Sequence, residues 1–143
     1  MRVDFYQLTR GPAEAVLPLI ARAALTAGER LLVVSEDTGL LERIDTALWE
    51  RLPESFLGHG TAGGAHDARQ PILLSTALEP ANGARFVAFA DGVWREPTGF
   101  ERAFLLFDEG TIIAARECWR ALGGSAGERH FWRQGAKGWE EVG

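Results

Sequence analysis

Arg116 and Arg120 stand four residues apart in the sequence, with Trp119 immediately before the second of them. On a helix, that spacing brings both guanidinium groups out on one face and sets the indole on the adjoining face. The three would then offer charge-assisted hydrogen bonds to carboxylates beside an aromatic wall for an apolar group. That is the chemistry of recognising an acidic peptide with a hydrophobic end. The same pattern also fits a helix in which Trp119 is core, at helical spacing from Ile112, and the arginines are solvated or paired with Glu117. Spacing alone leaves both readings open.

Other groups are less persuasive. Gly58, Gly60 and Gly63 satisfy the Gly-x-Gly-x-x-Gly spacing that lets a backbone approach a pyrophosphate. A working fingerprint follows the first strand and opens into a helix, whereas this run follows Pro53 to Leu57 and leads to Gln70-Pro71. His59, His66 and Asp67 have metal-ligating side chains, but a glycine-rich loop holds ligands poorly and no His-x-x-x-His helix fixes them. Ser35-Glu36-Asp37 follows an apolar run, where α/β proteins often place ligands, yet it also serves as a helix cap. Neither Ser35 nor Ser55 sits in a Gly-x-Ser-x-Gly elbow. No catalytic centre, metal site or cofactor is expected. The rival to peptide recognition is a small-ligand or nucleotide-binding α/β protein using the strand ends near Ser35 and the glycine loop 58–64.

These groups must be positioned by a chain of 143 residues with 46% hydrophobic and 24% charged residues, a composition that excludes wholesale disorder. The length suits a single domain spanning residues 1–143. The most apolar stretch, Ala13 to Leu25, is interrupted by Glu14, Pro18 and Arg22, and the opening residues lack a signal-peptide pattern. A cytoplasmic location is the default expectation. One cysteine, Cys118, excludes an intrachain disulfide. The net charge of −5 opposes tight direct binding to nucleic acid. Yet residues 111–139 carry Arg116, Arg120, Arg129, Arg133 and Lys137 against only Glu117 and Glu128, so an anionic partner should meet this segment.

Val3 to Leu8 reads as a strand, and Thr9 to Pro12 as a turn into a helix ending at Gly28, its robust part starting at Pro18 because proline is tolerated in a first turn. Arg30 to Ser35 reads as a buried strand, and Glu36-Asp37-Thr38 caps a helix through Arg51 whose inner face carries Leu41, Ile44 and Leu48. This β-α-β-α order predicts a parallel sheet with right-handed crossovers. Residues 58–70 read as loop, and strands follow at Pro71–Ser75, Phe86–Ala90 and Ala103–Phe107. A helix containing Ile112, Ala115, Trp119 and Leu122 stops at Gly123-Gly124, and the tail Arg129–Trp139 makes a strand or hairpin around Gly135.

Several short signatures occur together in order. They are Phe5-Tyr6-x-Leu8, Gly28-x-Arg30-Leu31-Leu32-Val33, Ile44-Asp45-x-x-Leu48-Trp49 and Ser55-Phe56-x-x-His59. Gln70-Pro71-Ile72-Leu73-Leu74, Ala115-Arg116-Glu117-x-Trp119-Arg120, Trp132-Arg133-Gln134 and Gly138-Trp139-Glu140 complete the series. In these the chain resembles the chi subunit of bacterial DNA polymerase III holoenzyme. The resemblance implies a non-enzymatic, Rossmann-like three-layer α/β domain with a mainly parallel central sheet flanked by helices, accompanying the clamp loader. It implies binding of the acidic C-terminal tail of single-stranded DNA-binding protein by Arg116, Trp119 and Arg120, with Trp49 nearby. It also implies contact with the psi subunit, in bacteria that have one, through Phe56. Cys118 departs from the basic residue common in the family's Ala-Arg-Glu-Arg-Trp run, and Gly58 from the proline common before the histidine.

Overall fold

A computed structural model describes residues 1–50, 59–123, 127–135 and 138–142. Its elements, in chain order, are β1 (Arg2–Gln7), α1 (Ala13–Thr26), β2 (Leu31–Val34), α2 (Thr38–Glu50), β3 (His59–Thr61), β4 (Ile72–Ser75), β5 (Phe86–Phe89), β6 (Arg102–Phe107), α3 (Ile112–Leu122), β7 (Glu128–Gly135) and β8 (Gly138–Glu141). The strands form one sheet in the order β3-β4-β2-β5-β6-β1-β7-β8. Every neighbouring pair is parallel except the β7–β8 hairpin.

Central strands buried on both faces need continuous apolar runs, and β2 (Leu31 to Val34) and β4 (Ile72 to Leu74) supply them with complete burial. Because side chains alternate across a strand, Leu31 and Val33 join one core layer and Leu32 and Val34 the other. The first layer holds Leu17, Ile20, Ala21 and Ala24 of α1 with Leu41, Ile44 and Leu48 of α2. The second holds Phe5, Phe89, Leu105 and Phe107 under Ala115 of α3. Two helices therefore cover one face and α3 the other, as the three-layer expectation required.

Two expectations need correction. Helix α1 starts at Ala13, not Pro18, so Pro18 occupies the second turn and is itself buried. Its missing N–H leaves the carbonyl of Glu14 without a helical donor, at a cost of about 3 kcal/mol. Fully burying Val16, Leu17 and Ile20 contributes roughly 1.5–3 kcal/mol each and outweighs that loss. The glycine segment is likewise not all loop: His59–Thr61 forms the edge strand β3, paired with Ile72 to Leu74 of β4. Gly60 fits there because a Cβ would stand 2.9 Å from the Gln70 side chain.

The second helix is capped as expected: Asp37 Oδ1 accepts the Leu40 N–H at 3.1 Å, and Ser35 Oγ accepts that of Asp37 at 3.0 Å. Ahead of α3, Gly92 holds φ +76° and lies so close to Thr111 that a Cβ would sit 2.6 Å from its Oγ1. That contact seats the loop after β5 against the start of α3. Among the described residues, no helix is long and apolar enough to cross a membrane.

Candidate functional site

Helix α3 presents a narrow buried stripe. Ala115 is buried, Ile112, Cys118, Trp119 and Leu122 pack partly against the core, and Arg116, Glu117 and Arg120 face outward. Trp119 is held by rings on two sides. Its indole meets Phe5 edge-on at 5.3 Å and Phe131 edge-on at 5.6 Å, the geometry that aromatic quadrupoles favour. Phe131 stacks on Phe5 at 6.2 Å, since the two are register partners on β7 and β1. Trp119 therefore belongs to the core by its inner edge, and its indole also lines an open recess.

That recess has a volume of about 310 Å³ and is lined by Gln7, Arg116, Trp119, Phe131, Arg133 and Val142. Its walls are aromatic and aliphatic, and guanidinium groups stand at two of its positions. Among the described residues, Arg116, Arg120 and Arg133 make no ion pair or side-chain hydrogen bond. Several other arginines are spent structurally, Arg43 on Glu14, Arg85 on Glu29 and Glu101, Arg95 on Asp91, and Arg2 and Arg102 on Asp4. Arg10, Arg22 and Arg69 are exposed and, among the described residues, unpaired, but they stand outside the recess lining. Unpaired cations around apolar walls match an anionic group attached to a bulky apolar one.

The structure brings Arg116 and Trp119 together in the recess and leaves Arg120 exposed on the same helix, outside the lining. It separates Trp49 from them. Trp49 lies on α2, in the opposite layer, 58% exposed, with its ring 4.7 Å from that of His59. The expectation that Trp49 stands near the arginines is therefore corrected. Phe56, Ser55 and Gly58 lie outside the described residues. Sequence reasoning missed Gln7, Phe131 and Val142 as lining residues, and counted Arg133 within the basic segment 111–139 without placing it at the recess. The signal available was the alternation Arg129-x-Phe131-x-Arg133, which puts these three on one face of a strand.

Cys118 is half-buried, and burial together with the charge of Glu96 pushes its thiol up to about 11. It stays protonated at neutral pH, does not line the recess, and supplies neither a nucleophile nor a charge there.

The alternative sites are occupied by structural work. Ser35 is fully buried and engaged in capping α2. The amides of Gly63 and Gly64 donate to the Asp67 carboxylate at 2.9 and 3.0 Å, so an anion would find them taken. The cleft at the carboxyl ends of β5, β6 and β1 is lined by Glu14, Asp37, Asp91 and Asp108 against one cation, Arg43, which is paired with Glu14, so its net charge is negative and disfavours phosphate. His59 Nε2 lies 2.8 Å from Asp45 Oδ1 with its side chain buried, whereas His66 is exposed. Among the described residues, no three His, Cys, Asp or Glu side chains are grouped to hold a metal.

A mainly parallel sheet covered by two helices on one face and one on the other defines a Rossmann-like, three-layer α/β protein. The chain belongs to the DNA polymerase III chi subunit family: the family described as "DNA polymerase III chi subunit, HolC" matches residues 1–127. That family is an accessory, non-catalytic subunit of the polymerase. A comparison with curated proteins finds no match.

Proposed function

We propose that this chain serves the clamp-loader complex of DNA polymerase III as a docking subunit, binding the acidic C-terminal tail of single-stranded DNA-binding protein at the α3 recess and so linking that protein to the replisome. The observation that carries this reading is the set of unpaired guanidiniums, Arg116 and Arg133 in the lining and Arg120 beside it, around Trp119 and Phe131. Carboxylates of the tail meet the arginines, and its final apolar side chain enters the recess. Contact with DNA is indirect, since the net charge of −5 opposes phosphate binding.

Titration of the protein with an acidic peptide ending in Pro-Phe tests the proposal, saturable binding being the expected result. A nucleotide that stabilises the fold saturably, with no peptide binding, would replace this reading by the ligand-binding one. A psi-type partner belongs to the same proposal, and Phe56→Ala weakening such a complex while sparing the peptide supports it.

A further inference from the structure

The hairpin β7–β8 lies beyond the residues that match the family, yet half of the recess lining comes from it and the residue that follows it: Phe131, Arg133 and Val142. We infer that this hairpin is the second wall of the docking site, with Arg133 as its cation and Val142 as its apolar contact, and that the two set specificity for an acidic segment ending in a bulky apolar side chain. The inference rests on the tail-binding reading and adds residues that helix α3 does not contain.

The register explains why the wall stands where it does. Strand β7 runs parallel to β1 with Phe5 opposite Phe131 and Gln7 opposite Arg133. Alternation then turns Arg129, Phe131 and Arg133 toward the α3 face. Arg129 is consumed within the fold, its guanidinium lying 4.1 Å over the Trp119 ring. Arg133 is exposed and unpaired among the described residues, and so remains for a partner. Its cross-strand neighbour is Glu140, but that carboxylate is turned over Gly135, where a Cβ would meet it at 2.7 Å. Val142 continues from β8, its N–H donating to the Phe131 carbonyl at 2.7 Å, which keeps the side chain at the recess.

Two cations carried on different elements impose a geometric demand that one helix face does not. An acidic segment satisfying both Arg116 and Arg133 has to cross the recess, and its apolar end then lies between Trp119 and Val142. A peptide that is merely acidic can satisfy the arginines but leaves the apolar walls wet.

Calorimetric titration of the full chain separates these contributions, using an acidic peptide ending in Pro-Phe and the same peptide ending in Pro-Ala. Arg133→Ala is expected to weaken the first peptide by about five- to tenfold and Arg133→Glu by more. Glu140→Gln, which removes the opposing charge, should strengthen it by about two- to threefold. Val142→Ala should weaken the Phe-ended peptide several-fold and leave the Ala-ended one nearly unchanged. Circular dichroism on each variant checks that the fold is intact, and Arg133, being exposed, gives the reading least affected by folding. If Arg116→Ala weakens binding while Arg133→Ala, Glu140→Gln and Val142→Ala all stay within twofold of wild type, the hairpin is no wall and tail binding by α3 alone stands. Absence of binding by the wild-type protein overturns both proposals.

Discussion

The guanidinium of Arg129 lies over the indole of Trp119 at 4.1 Å while its Nη1 donates a hydrogen bond to the Trp119 carbonyl. One side chain from β7 thus stacks on the recess tryptophan and satisfies one of the last carbonyls of α3, which have no donor within the helix. Arg129→Ala is expected to cost about 1–2 kcal/mol, the sum of a lost cation–π contact and a lost hydrogen bond. Arg129→Lys retains the charge but not the planar stack, and should recover only part of the loss. Urea unfolding measures both; equal stability of all three proteins would show that the stack is incidental.

Within the recess, Arg116→Ala removes an unpaired guanidinium from the lining. Such a charge-assisted bond is worth roughly 1.5–3 kcal/mol when shielded, so peptide affinity should fall about tenfold or more. Arg120 lies outside the lining, and its replacement by alanine should cost about 0–1 kcal/mol. Both losses shrink as salt rises. Full affinity for Arg116→Ala at low salt, with the fold intact, would place the docking site elsewhere.

Asp4 is fully buried on β1 and accepts hydrogen bonds from Arg102 Nε at 2.8 Å, Arg2 Nη2 at 3.1 Å and Trp132 Nε1 at 3.1 Å. Burial alone would raise its carboxyl, but these donors outweigh it and hold the group below its ordinary value of 3.8. Stabilisation is therefore present above that value and lost as the pH falls through the lower, folded one. Breaking a buried pair costs about 3–5 kcal/mol, and partial exposure of both arginines moves Asp4→Asn toward about 3. The difference from wild type should narrow in acid. A denaturation series from neutral to acid pH that shows a constant difference contradicts this account.

His130 joins the hairpin's two strands, its Nδ1 lying 2.6 Å from Glu141 and its Nε2 3.2 Å from Glu128. Both carboxylates raise its pKa above the usual 6.5, with slight burial and Arg2 opposing. The charged imidazole's contribution is complete below about pH 6.5 and disappears as the pH rises through the raised value. Amides of β7 and β8 should open more readily in mildly alkaline solution, and His130→Gln should remove that dependence. Hydrogen exchange, corrected for intrinsic rates, gives the comparison.

Much of the frame was legible because its causes are local. The Asp37 cap, the Leu41–Ile44–Leu48 stripe and the apolar runs of β2 and β4 all sit in short windows. Errors arose where distant residues decide. Pro18 speaks for a helix start only until burial of the surrounding turn is counted, and Gly60 joins a strand because β4 and Gln70 lie beside it. Arg116, Trp119 and Arg120 could be found on one helix, but Arg133 acquires its place only from the parallel register of β7 on β1. Trp49 carries no mark in the sequence of the layer it occupies.

Strand β1 lies between β6 and β7, whose residues begin at Arg102 and Glu128. The strand synthesised first therefore waits for its two neighbours until most of the chain has followed it. At a translation rate of about 5–20 residues per second, Phe5 spends roughly 6 to 25 seconds without the ring of Phe131 beside it. Pairings this distant are also slow to form after release, because loop closure must precede any gain from contact. The recess is consequently among the last features to exist, because its second wall arrives only with β7. Both walls are thus present together only once the chain has been made through its last strand.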